Sequence, residues 1–84
     1  MKQNIYVVVK HQFVNDKLDG AWIVGTHYSS LDAVLELKGE YDKLAKQDVC
    51  SFAEWSEFGG VRGLVRWNTG CSWSIYVKEV EIEL

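Results

Sequence analysis

The stretch Ile5-Tyr6-Val7-Val8-Val9 has no polar position, and its β-branched and aromatic residues predict a strand. Because neighbouring positions are apolar alike, both faces of that strand look covered, which predicts a central place in a sheet. Phe13-Val14 extends it beyond Lys10-His11-Gln12. The run Asn15-Asp16-Lys17-Leu18-Asp19-Gly20 carries turn chemistry, with Asn and Asp able to bond their own backbone and Gly20 free to take positive φ. Ala21 to Tyr28 then reads as the return strand. Pairing Val14 with Ala21 would set His11 opposite Val24 and His27 opposite Val8.

The pattern changes period after Tyr28. Ser29 with Asp32 three residues on is a helix-start signature. Leu31, Val34, Leu35, Leu37, Tyr41, Leu44 and Ala45 recur at helical spacing and predict one stripe against a sheet. Gly39 costs ~1 kcal/mol relative to Ala inside a helix; the expectation is one helix to about Lys46 with a weak point there. Ser51 and Glu54 repeat the capping spacing, with Phe52, Trp55 and Phe58 three apart and Gly59-Gly60 as a stop, so a short helix is expected over Phe52–Phe58.

The last segment alternates again. A three-residue loop, Asn68-Thr69-Gly70, puts Val65 opposite Trp73, Gly63 opposite Ile75 and Val61 opposite Val77. One face is then apolar, while Arg62, Arg66, Ser72, Ser74 and Tyr76 share the other. A two-residue loop would mix tryptophans with arginines, so the register favours three. Beyond Val77 the phase flips: Val80, Ile82 and Leu84 fall in step, opposed by Glu79, Glu81 and Glu83. A bulge near Lys78-Glu79, or a change of packing partner, would accomplish this. The whole predicts a single α+β domain over residues 1–84, ββα(α)ββ, with an antiparallel or mixed four-stranded sheet and one main helix on one face.

Composition narrows the classes. At 84 residues there is one small domain, most of whose apolar residues are expected to serve the fold. An apolar share of 48% and a net charge of −3 exclude intrinsic disorder. Two cysteines make no disulfide scaffold. The longest apolar run falls far short of the roughly 20 residues of a membrane span, and Met-Lys-Gln-Asn leads into a strand without a small-residue cleavage site. A cytoplasmic protein with reduced thiols is expected, with no membrane partner. In size and ββα start the chain is similar to the small proteins of bacteria and their phages, a likeness of class that carries no site.

Candidate chemistry is sparse. There is no phosphate loop, dinucleotide fingerprint, Cys-x-x-Cys or His-Glu-x-x-His. His11, His27, Cys50 and Cys71 are natural zinc ligands, but their spacing fits no finger or ribbon, and no metal or cofactor is expected. Gly60-Val61-Arg62-Gly63 matches a nucleic-acid-clamping loop only in letters, since it opens a strand. The acidity sits in the middle: residues 29–60 hold three basic and seven acidic side chains.

These features point to a non-enzymatic protein-binding module. Its partner-binding residues would be Phe52, Glu54, Trp55, Glu57 and Phe58 on the short helix, with Glu79, Glu81 and Glu83 on the last strand. They would dock on a basic, nucleic-acid-binding face of a larger protein, as an inhibitor of phage type would. An alternative is a small-ligand or nucleotide site at a homodimer seam, lined by Trp22, Tyr28 and Arg66. A third reading is single-stranded nucleic acid on Arg62, Arg66 and Tyr76. Only Lys78 adds to those two arginines and the acidic total repels phosphate, so no nucleic-acid partner is expected. A homodimer through Ser74 to Leu84 is expected if that strand lies at an edge.

Overall fold

The β-branched run near the N-terminus forms the spine of a five-stranded, wholly antiparallel sheet in the computed structural model, which describes residues 1–84. Strand β1 (Lys2–Val14) pairs with β2 (Lys17–His27) on one side and with β5 (Cys71–Glu83) on the other. Helix α1 (Ser30–Ala45) follows β2, and β3 (Cys50–Ser56) and β4 (Arg62–Trp67) complete the order β2-β1-β5-β4-β3. The central place expected for the first strand is found. A four-stranded sheet is not: there are five strands, and the element expected as a second helix is the fifth.

That correction has a physical reason. Phe52, Trp55 and Phe58 are spaced for a helix, but two isolated helical turns carry the full nucleation penalty. As a strand, the same residues satisfy the free edge of β4: Phe52 pairs with Arg66, Glu54 with Leu64 and Ser56 with Arg62. Gly59 and Gly60, both at positive φ, turn the hairpin between β3 and β4 instead of ending a helix.

The first turn is also tighter than expected. Asn15 and Asp16 both adopt positive φ, a two-residue hairpin turn that pairs Val14 with Lys17. Two register shifts along β2 then set His11 opposite Ala21 and His27 opposite Tyr6, not opposite Val24 and Val8. The β4–β5 hairpin follows its predicted register, Val65 opposite Trp73 and Gly63 opposite Ile75, with Gly70 at φ 91°.

Helix α1 runs unbroken through Gly39 and is capped by Ser29, which accepts from the Asp32 amide. It lies on the sheet side carrying Val8, Val65, Trp73 and Ile75, and contributes Ala33, Leu37 and Leu44 to that core. Tyr41 packs at its edge. Leu31 and Leu35, expected in the inward stripe, stand on the outer side at 65% and 62% exposure. The buried phase is 33, 37, 41 and 44, which brings Glu36 and Glu40 down on to the sheet: Glu36 meets His27 at 3.0 Å and Glu40 meets Lys10 at 3.7 Å. At the far end the Trp67 indole Nε1 donates to the Leu44 carbonyl at 3.0 Å, satisfying one of the helix's last free acceptors.

Strand β5 is interior where β4 flanks it, through Arg62–Tyr76, so the last strand is no simple sheet edge. Only its end, from Lys78 onward, is free on that side. The β1–β5 register is continuous through the phase flip, so no bulge causes it. The cause is the end of the helix cover: Glu79, Glu81 and Glu83 stay on the helix side, opposite Tyr6, Asn4 and Lys2, while Val80 and Ile82 continue the opposite face beside Ile5 and Gln3.

Candidate functional site: the uncovered face of the sheet

One helix covers one side of the sheet, and no helix or strand lies over the other, where Val7 is the one buried residue. Only nine of the 84 residues are buried, far fewer than the apolar content led one to expect. The register assigns the uncovered face row by row, because directly paired residues point the same way. Ile5 stands beside Val80. The next row is Thr26, Val7 and Lys78; then come Ile23, Val9, Tyr76, Arg62 and Ser56. Below these lie Ala21, His11, Ser74, Leu64 and Glu54, and last Leu18, Phe13, Ser72, Arg66 and Phe52.

This surface is apolar with a cationic side. Ile23, Leu18 and Phe52 are 68%, 62% and 43% exposed. The Tyr76 ring meets His11 edge-on at 5.6 Å, and the Arg66 guanidinium lies over the Phe52 ring at 5.7 Å. Three cations, Arg62, Arg66 and Lys78, stand against one carboxylate, Glu54, on a chain whose net charge is −3. None of the four makes an ion pair within the chain. Beside Tyr76 and Arg62 the β3–β4 loop leaves a hollow of about 340 Å³ lined by Gly59, Gly60 and Ser74 as well. A second, of about 440 Å³, lies at Arg66, Ser72 and the hairpin turns holding Asn15 and Gly70.

The expected partner-binding residues do not form one surface. Phe52 and Glu54 lie on the uncovered face, whereas Trp55 points to the helix side, edge-on to Tyr41 at 5.2 Å. Glu57 and Phe58 sit in the exposed β3–β4 loop, Phe58 at 93%. The glutamates of β5 are engaged at the sheet's end: Glu79 accepts from Asn4 at 2.7 Å, Glu81 meets Lys2 at 3.4 Å and Glu83 the N-terminal amine at 3.6 Å.

Among the alternatives, Arg62, Arg66 and Tyr76 do share a face, as the hairpin register implied. Trp22 and Arg66 lie on opposite faces, and Tyr28 is at the entry to α1, so these three line no common pocket. Trp22 instead borders a hollow of about 330 Å³ with Gln12, Val24 and Trp73. There the Lys10 ammonium stands 5.7 and 5.4 Å from the Trp22 and Trp73 ring centres. Cys50 and Cys71 are free thiols, and no three His, Cys, Asp or Glu side chains converge as a metal site would require. No helix is long and apolar enough to cross a membrane.

Sequence reasoning missed Ile23, Val9, Phe13, Leu18 and Leu64 as surface residues. The available signal was the double-sided apolar pattern of β1, of which the helix covers one side only. No family model matches the chain, and neither does any curated protein or solved structure.

Proposed function

We propose that the chain is a non-enzymatic protein-binding module whose working surface is the uncovered face of the sheet. Its partner is a protein presenting an apolar patch fringed by carboxylates. The observation that carries this reading is the unpaired cationic trio Arg62, Arg66 and Lys78 on the same face as exposed Ile23, Leu18 and Phe52. Contiguous apolar surface on a small domain marks an interaction site. Aromatic and arginine side chains are the usual anchors there, and unpaired charge steers a complementary partner. The sign of the charge reverses the expectation drawn from composition: the acidic carboxylates belong mostly to the helix side and the sheet's end, so the apolar surface looks for an acidic partner.

Selection from a displayed random-peptide library tests the proposal. Sequences combining aromatic or aliphatic residues with Asp and Glu should be enriched. Their binding should weaken with salt and fall in the Ile23→Ser and Arg62→Ser variants, but not in Leu31→Ser on the outer side of α1. Enrichment of basic peptides, or binding that Leu31→Ser abolishes, would overturn it. So would an absence of peptide binding alongside salt-sensitive binding of oligothymidylate, which single-strand stacking on Tyr76 and Phe52 would produce.

A further inference from the structure

The sheet has four lengths of free backbone edge, and they differ in what they can accept. The shortest, Lys2 to Ile5 of β1 beyond the end of β2, carries Lys2. Strand β2 is interrupted by two register shifts and carries Gly20, Gly25 and Lys17, which blunt it. The free end of β5, Lys78 to Glu83, carries Glu79, Glu81 and Glu83 at alternate positions. Any antiparallel self-pairing that keeps the two faces aligned sets odd residues against odd ones, so glutamate always meets glutamate, an unfavourable cross-strand pair. Strand β3 has neither defence. From Phe52 to Ser56 it holds no Pro, Gly, Lys or Arg, its single register shift is at its first residues, and Ser51 to Glu54 are all exposed.

We infer that β3 pairs antiparallel with β3 of a second copy about a two-fold axis at Ala53, joining two sheets into one of ten strands. Three face-preserving registers centre on the middle of the strand. Centring on Glu54 opposes Glu54 to itself. Centring on Phe52 runs Glu54 into the register shift between Cys50 and Phe52 and leaves Arg66 without a carboxylate. Centring on Ala53 sets Phe52 opposite the second copy's glutamate at position 54. Because Phe52 also pairs with Arg66, the row across the junction reads Arg66, Phe52, Glu54 of the second copy, and by symmetry the same row recurs. The guanidinium already lies over the Phe52 ring, on the edge strand. Two strand spacings, about 9.6 Å between Cα atoms, fall within the joint reach of an arginine and a glutamate. Arg66 and Glu54, both without ion partners in the single chain, thus satisfy each other twice. This association leaves Ile23, Val9, Tyr76 and Arg62 open to the proposed protein partner, while Arg66 and Phe52 are shared between that surface and the junction.

Sedimentation equilibrium of the wild-type chain, of Glu54→Arg and of Arg66→Glu provides the test. The wild type should dimerise, and each variant should raise the dissociation constant about tenfold or more, since two exposed pairs become repulsive. An equimolar mixture of the two variants should regain wild-type association, because both junction rows again pair opposite charges. Circular dichroism checks that each variant is folded. Glu54→Arg alters a fully surface position, so its result stands even if Arg66→Glu does not fold. A monomeric wild type, an unchanged constant in Glu54→Arg, or a mixture no tighter than its components would overturn the inference.

Discussion

The ring of Tyr41 in α1 rests on Gly63 of β4: a Cβ built on that glycine would stand 2.6 Å from Tyr41 Cδ2 and 3.3 Å from Ile75 Cγ1. The helix can approach β4 only because position 63 has no side chain. Gly63→Ala should therefore destabilise the fold by about 1–3 kcal/mol, the cost of overpacking a closed core. Urea unfolding measures it, and Tyr41→Ala should relieve part of the loss by making room.

Gly39 is the opposite case. Nothing lies within 4 Å of a Cβ placed there, and the residue is in the middle of an unbroken helix on its exposed side. Gly39→Ala should stabilise the protein by about 1 kcal/mol through backbone entropy alone. An unchanged or lowered melting temperature would show that the helix is not continuous in solution.

How much of this was legible beforehand depended on how local the information was. The Asn68-Thr69-Gly70 loop sets the β4–β5 register within a dozen residues, and Arg62, Arg66, Ser72, Ser74 and Tyr76 share a face as that register requires. The helix start at Ser29 was equally local. Strand β3 was not legible, because its period-three aromatics satisfied a helical template and only the free edge of β4, elsewhere in the chain, decides the matter. Leu31 and Leu35 were misplaced for a similar reason: two apolar arcs exist on α1, and the choice falls to the one that lets Glu36 and Glu40 reach His27 and Lys10. The uncovered face draws on all five strands. Its residues meet only through long-range pairing, so no sequence window contains it.

Lys10 sits in the most constrained polar setting of the molecule. Its side chain is 22% exposed, its ammonium is 3.7 Å from the Glu40 carboxylate, and it stands near the rings of both Trp22 and Trp73. Lys10→Met keeps most of the packing volume but leaves Glu40, at 15% exposure, with the solvent-exposed Lys43 as its remaining cation. A loss of about 1–3 kcal/mol is expected from a half-buried carboxylate left with only its exposed partner and from the lost cation–π contacts. A shift in tryptophan emission should accompany it, and Lys10→Met with Glu40→Gln should recover part of the stability.

Trp67 joins helix end to sheet through one hydrogen bond, Nε1 to the Leu44 carbonyl. Trp67→Phe preserves an aromatic contact with Trp73, whose ring centre is 5.4 Å away, and removes the donor. The expected cost is about 1 kcal/mol, the ordinary net value of such a bond. Amide exchange should accelerate most in the last turn of α1, around Ala45 and Lys46. Uniform acceleration across the sheet would instead mean that the indole serves mainly as core volume.

The glutamates of β5 have a role that stability measurements would miss. Beyond Lys78 the strand is free on the β4 side, and its uncovered face there continues with Val80 and Ile82. An apolar, unpaired strand end of this kind is a template for edge-to-edge association unless charge prevents it. Glu79→Thr with Glu81→Thr keeps strand propensity and removes the repulsion that every aligned self-pairing of this segment would meet. The loss of the Asn4 and Lys2 contacts should cost less than about 1 kcal/mol, because both are exposed. The double variant should nevertheless form assemblies larger than the wild type at equal concentration, visible by light scattering. Restoring Glu81 alone should suppress them. If the double variant instead matched the wild type in size at every concentration, the carboxylates would be serving only their partners on β1.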